Sequence, residues 1–358
     1  MAKIALVSDV HLGTRQYGIK ERYEDFHRAF RAFGDSLRGY RLGAVIVGGD
    51  LFDSPRPDAL SVLTARDVVN IVREGSPVYG IDGNHDLSNG DWLRVIGVEP
   101  LEDGNIVRIE GVSICGLHYR NGRDLIATLQ DMIDRGEKAD ILVAHFALAE
   151  MNGGGTADTG VQELCPLLEK LGVKCVLMGH VHIPDARKWN GILFVNPGST
   201  EMKSSNEPPQ KYYFIVDTDT WEAEPIPLET RKVETIEITN EVELEQFRAR
   251  MGKEASLSNE DRTFYQVIAD DTIDDVYKRL AAMVHNFSAL ARVVTRSSRA
   301  RDLAPVVDRK EESFNTLESA IEARFPKESD EAKLILSMLR SPDPSSVHLI
   351  VERFMNGE

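Results

Sequence analysis

Histidine, aspartate and asparagine side chains recur in this sequence directly after short apolar runs. The strings that hold them are SDVHLG, GGDLFD, GNHD, AHF and GHVH, in that order along the chain. Their seven candidate metal ligands are Asp9, His11, Asp50, Asn84, His145, His180 and His182. Such a mixed oxygen and nitrogen set suits manganese, iron or zinc better than calcium or magnesium. The set is too large for one ion and sufficient for two.

Two divalent ions held by such a set could perform phosphoryl transfer. Ions ~3.5–4 Å apart can hold both the attacking and the leaving oxygen, and they lower the pKa of a shared water toward neutrality. The pair needs a bridging carboxylate, and Asp50 is suited to it because it ends the buried run LGAVIVGG. No cysteine is required among the ligands, so a structural zinc site is not implied.

The apolar runs before these residues alternate with amphipathic stretches, which predicts an α/β domain with a partly parallel sheet. Later hairpins predict that a second sheet packs on the first. The C-terminal ends of parallel strands face the ligand crevice, so the polar side chains should meet there. Strands are predicted at 3–9, 42–50, 76–86, 105–119 (two strands), 139–146, 173–182, 191–199 and 211–228, and helices at 22–37, 57–74, 121–135 and 161–171.

The pair His180 and His182 is predicted to lie on the strand 173–182, which Pro184 ends. Alternate residues of an extended segment point the same way, about 6–7 Å apart. That spacing predicts that the two histidines reach two different ions rather than one. Gly179, directly before them, is expected to leave room for a close approach of the backbone.

Beyond residue 228 the pattern changes to strand–helix–strand–helix–strand, with elements at 233–239, 243–251, 263–271, 274–287 and 289–297. The sequence therefore predicts a first domain at 1–228, a smaller α/β domain at 229–304 and a helical segment at 305–358. The apolar stripes of that last segment either pack on the chain's own core or bind a partner helix.

The composition limits the location and partners of the protein. Three cysteines without a C-x-x-C pair predict a reducing cytoplasm, and neither a signal peptide nor a membrane span is apparent. The net charge of −16 argues against a nucleic-acid partner. That argument weakens if the charge is unevenly distributed or if several carboxylates bind metal ions.

The five strings, together with NPGS at 196–199, resemble the five motifs of calcineurin-like metallophosphoesterases over residues 4–217. Their order and the phrase NPGSTEM-x-S-x-NE-x-x-x-K are similar to the SbcD/Mre-eleven family of DNA-repair nucleases. The resemblance implies a four-layer sandwich of two mixed sheets flanked by helices. It also implies that 229–304 is a cap domain.

The resemblance assigns roles to individual residues. One ion is bound by Asp9, His11 and His182, the other by Asn84, His145 and His180, and Asp50 bridges them. His85 contacts the phosphate and protonates the leaving 3′-oxygen. Asp53 stands where some members carry a histidine, so its catalytic role is open; a hydrogen bond to His11 from behind is predicted.

The family implies a manganese-dependent 3′→5′ exonuclease and single-strand endonuclease that works with an SbcC/Rad-fifty-type ATPase, docked on the C-terminal helices. It also implies a homodimer formed through helices of the nuclease domain. Phe26, Phe30 and Phe33 of helix 22–37 serve either that interface or the core. Two alternatives stay open: a phosphodiesterase or phosphatase acting on a nucleotide or other small phosphoester, and a non-catalytic scaffold.

Several basic residues are candidates for DNA contact. Four arginines lie within ten residues of the smaller domain, and two lysines follow the NPGS turn: Arg292, Arg296, Arg299, Arg301, Lys203 and Lys211. The alternative for the arginines is a solvated face paired with acidic residues. Among the other polar residues, His118 is expected to be structural, His27 partly exposed, and Asp86 to hold its own turn.

Overall fold

The structure is a computed structural model that describes residues 2–151, 155–287 and 289–296. The predicted helical segment 305–358 and the candidate DNA contacts Arg299 and Arg301 lie outside the described residues. Among the described helices, none is long and apolar enough to cross a membrane.

Among the described residues up to 228, the structure has twelve strands, five α-helices and a 3-10 helix at Gln16–Gly18. The strands are β1 (Lys3–Val7), β2 (Ala44–Val47), β3 (Val78–Gly80), β4 (Glu99–Pro100), β5 (Ile106–Ile109), β6 (Val112–Leu117), β7 (Ile141–His145), β8 (Cys175–Gly179), β9 (Asp185–Trp189), β10 (Ile192–Asn196), β11 (Lys211–Asp217) and β12 (Glu222–Leu228). The helices are α1 (Lys20–Ser36), α2 (Ala59–Arg73), α3 (Asp91–Ile96), α4 (Gly122–Asp134) and α5 (Val161–Leu171).

The strands form two six-stranded mixed sheets, in the orders β12-β11-β1-β2-β3-β4 and β5-β6-β7-β8-β10-β9. In the first sheet β1 to β4 run parallel, β11 pairs antiparallel with β1, and β12 pairs antiparallel with β11. In the second sheet β6, β7, β8 and β10 run parallel between antiparallel edge strands. The predicted mixed α/β architecture is confirmed.

The layers are set by the apolar content of the strands. Strands such as β1 and β7 are buried on both faces, as expected for parallel strands covered on both sides. One core lies between the sheets and includes Leu6, Ile46 and Val143. Further cores join the outer faces of the sheets to α1 and α2 on one side, and to α4 and α5 on the other.

The aromatic residues of helix α1 are buried. Phe26, Phe30 and Phe33 are at most 2% exposed, so they belong to the core and are not available to a dimer interface. His27 is also buried, at 2% exposure, and its Nδ1 lies 3.0 Å from Thr64 Oγ1 on α2. The prediction of a partly exposed His27 was wrong because this face of α1 packs against α2.

Residues 233–296 form a small α/β region with β13 (Val233–Ile238), α6 (Glu241–Glu254), β14 (Phe264–Asp270), α7 (Val276–Asn286) and β15 (Leu290–Arg296). Its three strands are parallel, in the order β13-β14-β15. Both helices share an apolar core with the sheet, which includes Leu244, Phe247 and Leu280. The element order agrees with the prediction for this part of the sequence.

Candidate metal centre

The seven predicted ligands meet where strands of both large sheets end. Asp9 and His11 follow β1, Asp50 follows β2, Asn84 follows β3, His145 ends β7, and His180 and His182 follow β8. Asp9, His11, Asp50 and His145 are at most 2% exposed and form a buried floor. Asn84 is exposed, His180 and His182 are half-buried, and these three side chains form the rim. A substrate could therefore approach from one side only.

Asp9, His11 and His182 form a first donor group. The Nε2 atoms of His11 and His182 lie 3.1 Å apart. Asp9 Oδ1 lies 3.6 Å from His182 Nε2. One nitrogen or oxygen of each side chain therefore points into the same small volume.

Asn84, His145 and His180 form a second donor group. Asn84 Oδ1 lies 2.9 Å from His180 Nδ1 and 3.2 Å from His145 Nε2. The structure thus divides the six side chains into the two groups that the family resemblance implied.

Asp50 lies between the two donor groups. Its Oδ2 is 3.7 Å from His11 Nε2 and 3.4 Å from His145 Nε2, so one oxygen faces both groups. Its Oδ1 accepts a hydrogen bond of 2.8 Å from the backbone N–H of His85, which fixes the carboxylate. A carboxylate held in this way is suited to bridge two ions.

The donor set and its spacing fit divalent metal ions. Donors bound to one ion at 2.0–2.2 Å are about 3.0–3.5 Å from one another. The separations within the two groups and to Asp50 run from 2.9 to 3.7 Å. An ion bound between two histidine rings requires that their nitrogens face each other at such distances.

Hydrogen bonds to the ring nitrogen that faces away from the centre orient two of the histidines. His145 Nδ1 donates to the backbone carbonyl of Gly48 at 2.8 Å, which turns Nε2 toward the centre. His182 Nδ1 donates to Glu207 Oε1 at 2.9 Å. Such partners fix the tautomer and ring orientation of a ligating histidine. Glu207 was not predicted, although it stands in the N-E-x-x-x-K phrase that pointed to the family.

His180 and His182 face different donor groups, but the prediction that they lie on an extended strand ended by Pro184 was wrong. Strand β8 ends at Gly179, and Pro184 directly precedes β9 rather than ending β8. His180 has a left-handed backbone with φ of 90°, and its N–H donates to the Asp9 carboxylate at 3.0 and 3.1 Å. A turn, not an extended segment, therefore sends the two rings to different groups.

Left-handed backbone is concentrated at this centre. Asp9, His11 and Asp50 have φ near 50°, in addition to His180. Each such residue costs about 1–3 kcal/mol and persists only where its surroundings enforce it. The close packing also explains Gly179, because a Cβ there would overlap Ser8 Oγ and the Gly48 carbonyl.

A family model described as "Calcineurin-like phosphoesterase superfamily domain" matches residues 2–221 of this chain. The chain belongs to this superfamily. Calcineurin-like phosphoesterases use divalent metal ions, in agreement with the donor groups found here. The superfamily resemblance seen in the sequence motifs is confirmed.

The chain is also similar to curated archaeal proteins named "DNA double-strand break repair protein Mre11". The Haloferax volcanii protein is 30% identical over 253 residues, which is 66% of this chain and 55% of the relative. The Archaeoglobus fulgidus protein is 27% identical over 231 residues, covering 57% and 51%. The Aeropyrum pernix protein is 26% identical over 278 residues, covering 66% and 64%. The matched region thus spans between about half and two thirds of each relative's length.

In this phosphoesterase a third cluster adjoins the first donor group. It consists of His11, Asp53 and His85. Asp53 Oδ1 lies 3.2 Å from His11 Nδ1, which is the contact predicted for Asp53. His85 Nδ1 lies 3.3 Å from the Asp53 backbone oxygen, and its side chain is 39% exposed. Lys203 Nζ lies 2.7 Å from Asp53 Oδ1.

The phosphoesterase centre holds its ionisable groups in distinct states. Burial lowers the pKa of His11 to about 4. Burial also acts to lower the pKa of His145, but the Asp50 carboxylate outweighs it and raises that pKa to about 9. Burial disfavours the charged form of Asp50, yet His145 and His11 hold the pKa of its carboxyl well below the usual range. Asp50 is therefore anionic at neutral pH, as a bridging ligand must be.

Lys211 does not reach the surface, so its predicted role in DNA binding was wrong. It is 1% exposed, and its Nζ donates to Glu207 Oε2 at 2.7 Å and to Ser199 Oγ at 3.0 Å. Burial opposes ionisation of Glu207, but its contacts with His182 and Lys211 lower its pKa to about 2. Lys211 thus has a structural role: it neutralises the Glu207 carboxylate, which accepts the hydrogen bond from His182.

Two further polar residues support loops of the phosphoesterase domain. His118 is buried, and its Nδ1 accepts the backbone N–H of Asp82 at 2.9 Å, in agreement with the structural role expected. Asp86 accepts the N–H groups of Gly83 and Phe52 at 2.8 and 3.0 Å, so it holds its turn as expected. Burial, assisted by the nearby Asp50, raises the pKa of Asp86 to about 7.

Arg292 and Arg296 lie exposed on β15. Arg292 stands over the ring of Tyr17, 4.4 Å from its centroid, and donates to the Tyr17 hydroxyl at 3.0 Å. Tyr17 in turn stacks on Phe264, with ring centroids 5.8 Å apart. Arg296 pairs with Glu237 at 3.4 Å. Arg292 therefore connects the small α/β region to the loop that follows His11.

Proposed function

We propose that this chain is a two-metal phosphodiesterase that cuts DNA, a nuclease of the SbcD/Mre11 type. The observation that supports it most is the pair of donor groups that share Asp50, with His85 beside them. The ligands proposed for two manganese ions are Asp9, His11, Asp50, Asn84, His145, His180 and His182. When bound, the ions would lower the pKa of a water and neutralise charge on the scissile phosphate.

The protein's own side chains would orient the leaving group. His85 donates from Nδ1 to the Asp53 carbonyl, so its Nε2 is the nitrogen left for the substrate. Its accessible side chain suits a general acid that protonates the 3′-oxygen. Hydrolysis with a water as nucleophile needs no covalent intermediate, and the proposed mechanism assigns none.

The names of the Mre11 relatives and the shape of the surface support DNA as the substrate. A cavity of about 270 Å³ adjoins His180 and His182, and Asn206 is among its lining residues. A second cavity, of about 330 Å³, is lined by Asn206, Arg292 and Arg296. We propose that a strand runs from the metal centre past Asn206 to these arginines, whose charge attracts phosphates without sequence preference.

The family resemblance suggests further properties. We propose 3′→5′ exonuclease and single-strand endonuclease activity, the region 229–304 as the cap, and an SbcC/Rad50-type ATPase as partner. We also propose that the protein forms a homodimer. The free and buried Cys115, Cys165 and Cys175 agree with a cytoplasmic location.

A second candidate is a phosphodiesterase or phosphatase for a nucleotide or other small phosphoester. The net charge of −16 favours it, since a polyanion is repelled by such a protein outside a basic path. The two arginines on that path are already engaged by Tyr17 and Glu237. Their availability to DNA therefore decides between the two substrates.

The deciding experiment compares substrates with Mn²⁺ present. Plasmid, linear duplex and single-stranded DNA should be cleaved, with bis(p-nitrophenyl) phosphate as a small diester for comparison. The double variant Arg292→Ala/Arg296→Ala should lose DNA cleavage and retain hydrolysis of the small diester. Cleavage of small esters alone would refute the nuclease proposal in favour of the second candidate.

A further inference from the structure

Lys203 places a positive charge inside the third cluster of the site. Its Nζ lies 2.7 Å from Asp53 Oδ1 and 3.0 Å from His11 Nδ1. Asp53 Oδ1 therefore accepts a hydrogen bond from Lys203, and it also lies 3.2 Å from His11 Nδ1. The other ring nitrogen of His11, Nε2, faces the first donor group, 3.1 Å from His182 Nε2. Lys203 is the cation of this cluster.

The backbone of Lys203 is held on both sides, so the ammonium has a defined position. Gln16 Nε2 donates to the Lys203 carbonyl at 2.6 Å. The Lys203 N–H donates to Glu207 Oε2 at 3.1 Å. Its side chain is 22% exposed, which is low for a lysine. Since Glu207 also orients His182, one loop supports both histidines of the first donor group.

We infer that Lys203 is a positioning residue. It holds the Asp53 carboxylate beside His11 and prevents it from turning toward His85. The inference rests on the proposed function, in which His85 is the general acid. Asp53 Oδ1 is only 3.7 Å from His85 Nδ1, so a carboxylate released by Lys203 could turn to that nitrogen and redirect the ring. An unpaired Asp53 would also place a negative charge beside the scissile phosphate. The role assigned here replaces DNA contact as the function of Lys203.

This role predicts opposite effects on turnover and on metal affinity. In Lys203→Met, the side chains of Asp9, His11 and His182 are unchanged, so the first donor group stays formed. One positive charge near the ion is gone, and Mn²⁺ affinity should rise by up to about tenfold. Turnover should fall by about tenfold or more because His85 is no longer held in place.

The experiment is a double-mutant cycle in the full chain. The variants are Lys203→Met, Asp53→Asn and the double, with Lys203→Arg as the conservative variant and the exposed Lys20→Met as the matched control. Calorimetry measures Mn²⁺ affinity, and steady-state hydrolysis of bis(p-nitrophenyl) phosphate gives kcat and KM. We expect Lys203→Arg and Lys20→Met to resemble wild type. We expect Lys203→Met to have little further effect on kcat once Asp53 is asparagine.

Three results would overturn the inference. A rise in KM at unchanged kcat and unchanged Mn²⁺ affinity would make Lys203 a substrate contact. Weaker Mn²⁺ binding together with a lower Tm would make it a structural residue. A full kcat loss in the Asp53→Asn background would show that it does not act through Asp53. If wild type cleaves no phosphodiester, the proposed function fails, and the Mn²⁺ affinities still decide whether Lys203 opposes the ion.

Discussion

The buried pair of Glu207 and Lys211 provides a quantitative test of how the site is supported. Glu207→Gln would remove the carboxylate that neutralises the Lys211 ammonium, which is 1% exposed, and would leave it neutral hydrogen-bond acceptors. An uncompensated buried charge costs about 3–5 kcal/mol, a large part of the ~5–15 kcal/mol that stabilises a domain. Glu207→Gln should therefore lower the free energy of unfolding by about 3 kcal/mol or more.

Lys211→Met should cost less, because the carboxylate it leaves behind keeps other donors. Glu207 still receives hydrogen bonds from His182, Ser199 and the Lys203 backbone. A cost of about 1–2 kcal/mol follows if the loss is close to that of one charged hydrogen bond. The double variant should be more stable than Glu207→Gln alone, since it leaves no buried charge without a partner.

The metal readout should separate the two variants further. Of these two residues, Glu207 is the one that contacts His182. Glu207→Gln should therefore weaken Mn²⁺ binding by about 10–100-fold, whereas Lys211→Met should change it little. Urea unfolding in chelator gives the stabilities, and calorimetry gives the affinities. Equal stability losses for the two single variants, or an unchanged Mn²⁺ affinity in Glu207→Gln, would refute this reasoning.

Three further predictions follow from the same geometry. His85→Ala should lower the cleavage rate by about 10²–10⁴-fold. It should spare Mn²⁺ binding, because His85 holds Asp50 through its backbone N–H and not through its ring. Loss of cleavage together with loss of Mn²⁺ binding would contradict the role of His85 as general acid. Gly83→Ala should abolish tight Mn²⁺ binding because a Cβ would overlap the Asp50 carboxylate, whereas Gly252→Ala, where a Cβ meets only Phe287 at 3.7 Å, should leave calorimetric affinity unchanged. Burial lowers the pKa of His27 to about 4, so the unfolded chain alone binds this proton between about pH 6.5 and 4, and stability should fall as pH falls through that window. His27→Gln should flatten the pH dependence of the urea midpoint, and an unchanged slope would contradict the burial argument.

The sequence allowed the convergence of the metal ligands to be predicted because their position depends on a local rule. Each ligand follows an apolar strand, and parallel strands end at a common edge. Local sequence patterns were also sufficient to predict α5, the hairpin of β11 and β12, and every element between 233 and 296. The short helix α3 and the strands β4 and β9 were missed because they are brief or carry a polar, exposed pattern.

The groups behind the ligands could not be predicted because they depend on contacts between distant residues. Lys203 meets His11 across 192 positions of the chain, and no local pattern encodes that contact. The same holds for Glu207, and for Lys211, whose charge gave no sign of its burial. The turn at His180 escaped prediction because a left-handed histidine occurs only where surrounding contacts, here the Asp9 carboxylate, enforce it.

Electron paramagnetic resonance of the Mn²⁺-loaded protein shows whether two ions share Asp50. We expect two bound Mn²⁺ per chain with the spectrum of an exchange-coupled pair. In Asp50→Asn the coupling should be lost. A single ion per chain, or two ions with uncoupled spectra in the wild-type protein, would rule out a centre bridged by Asp50.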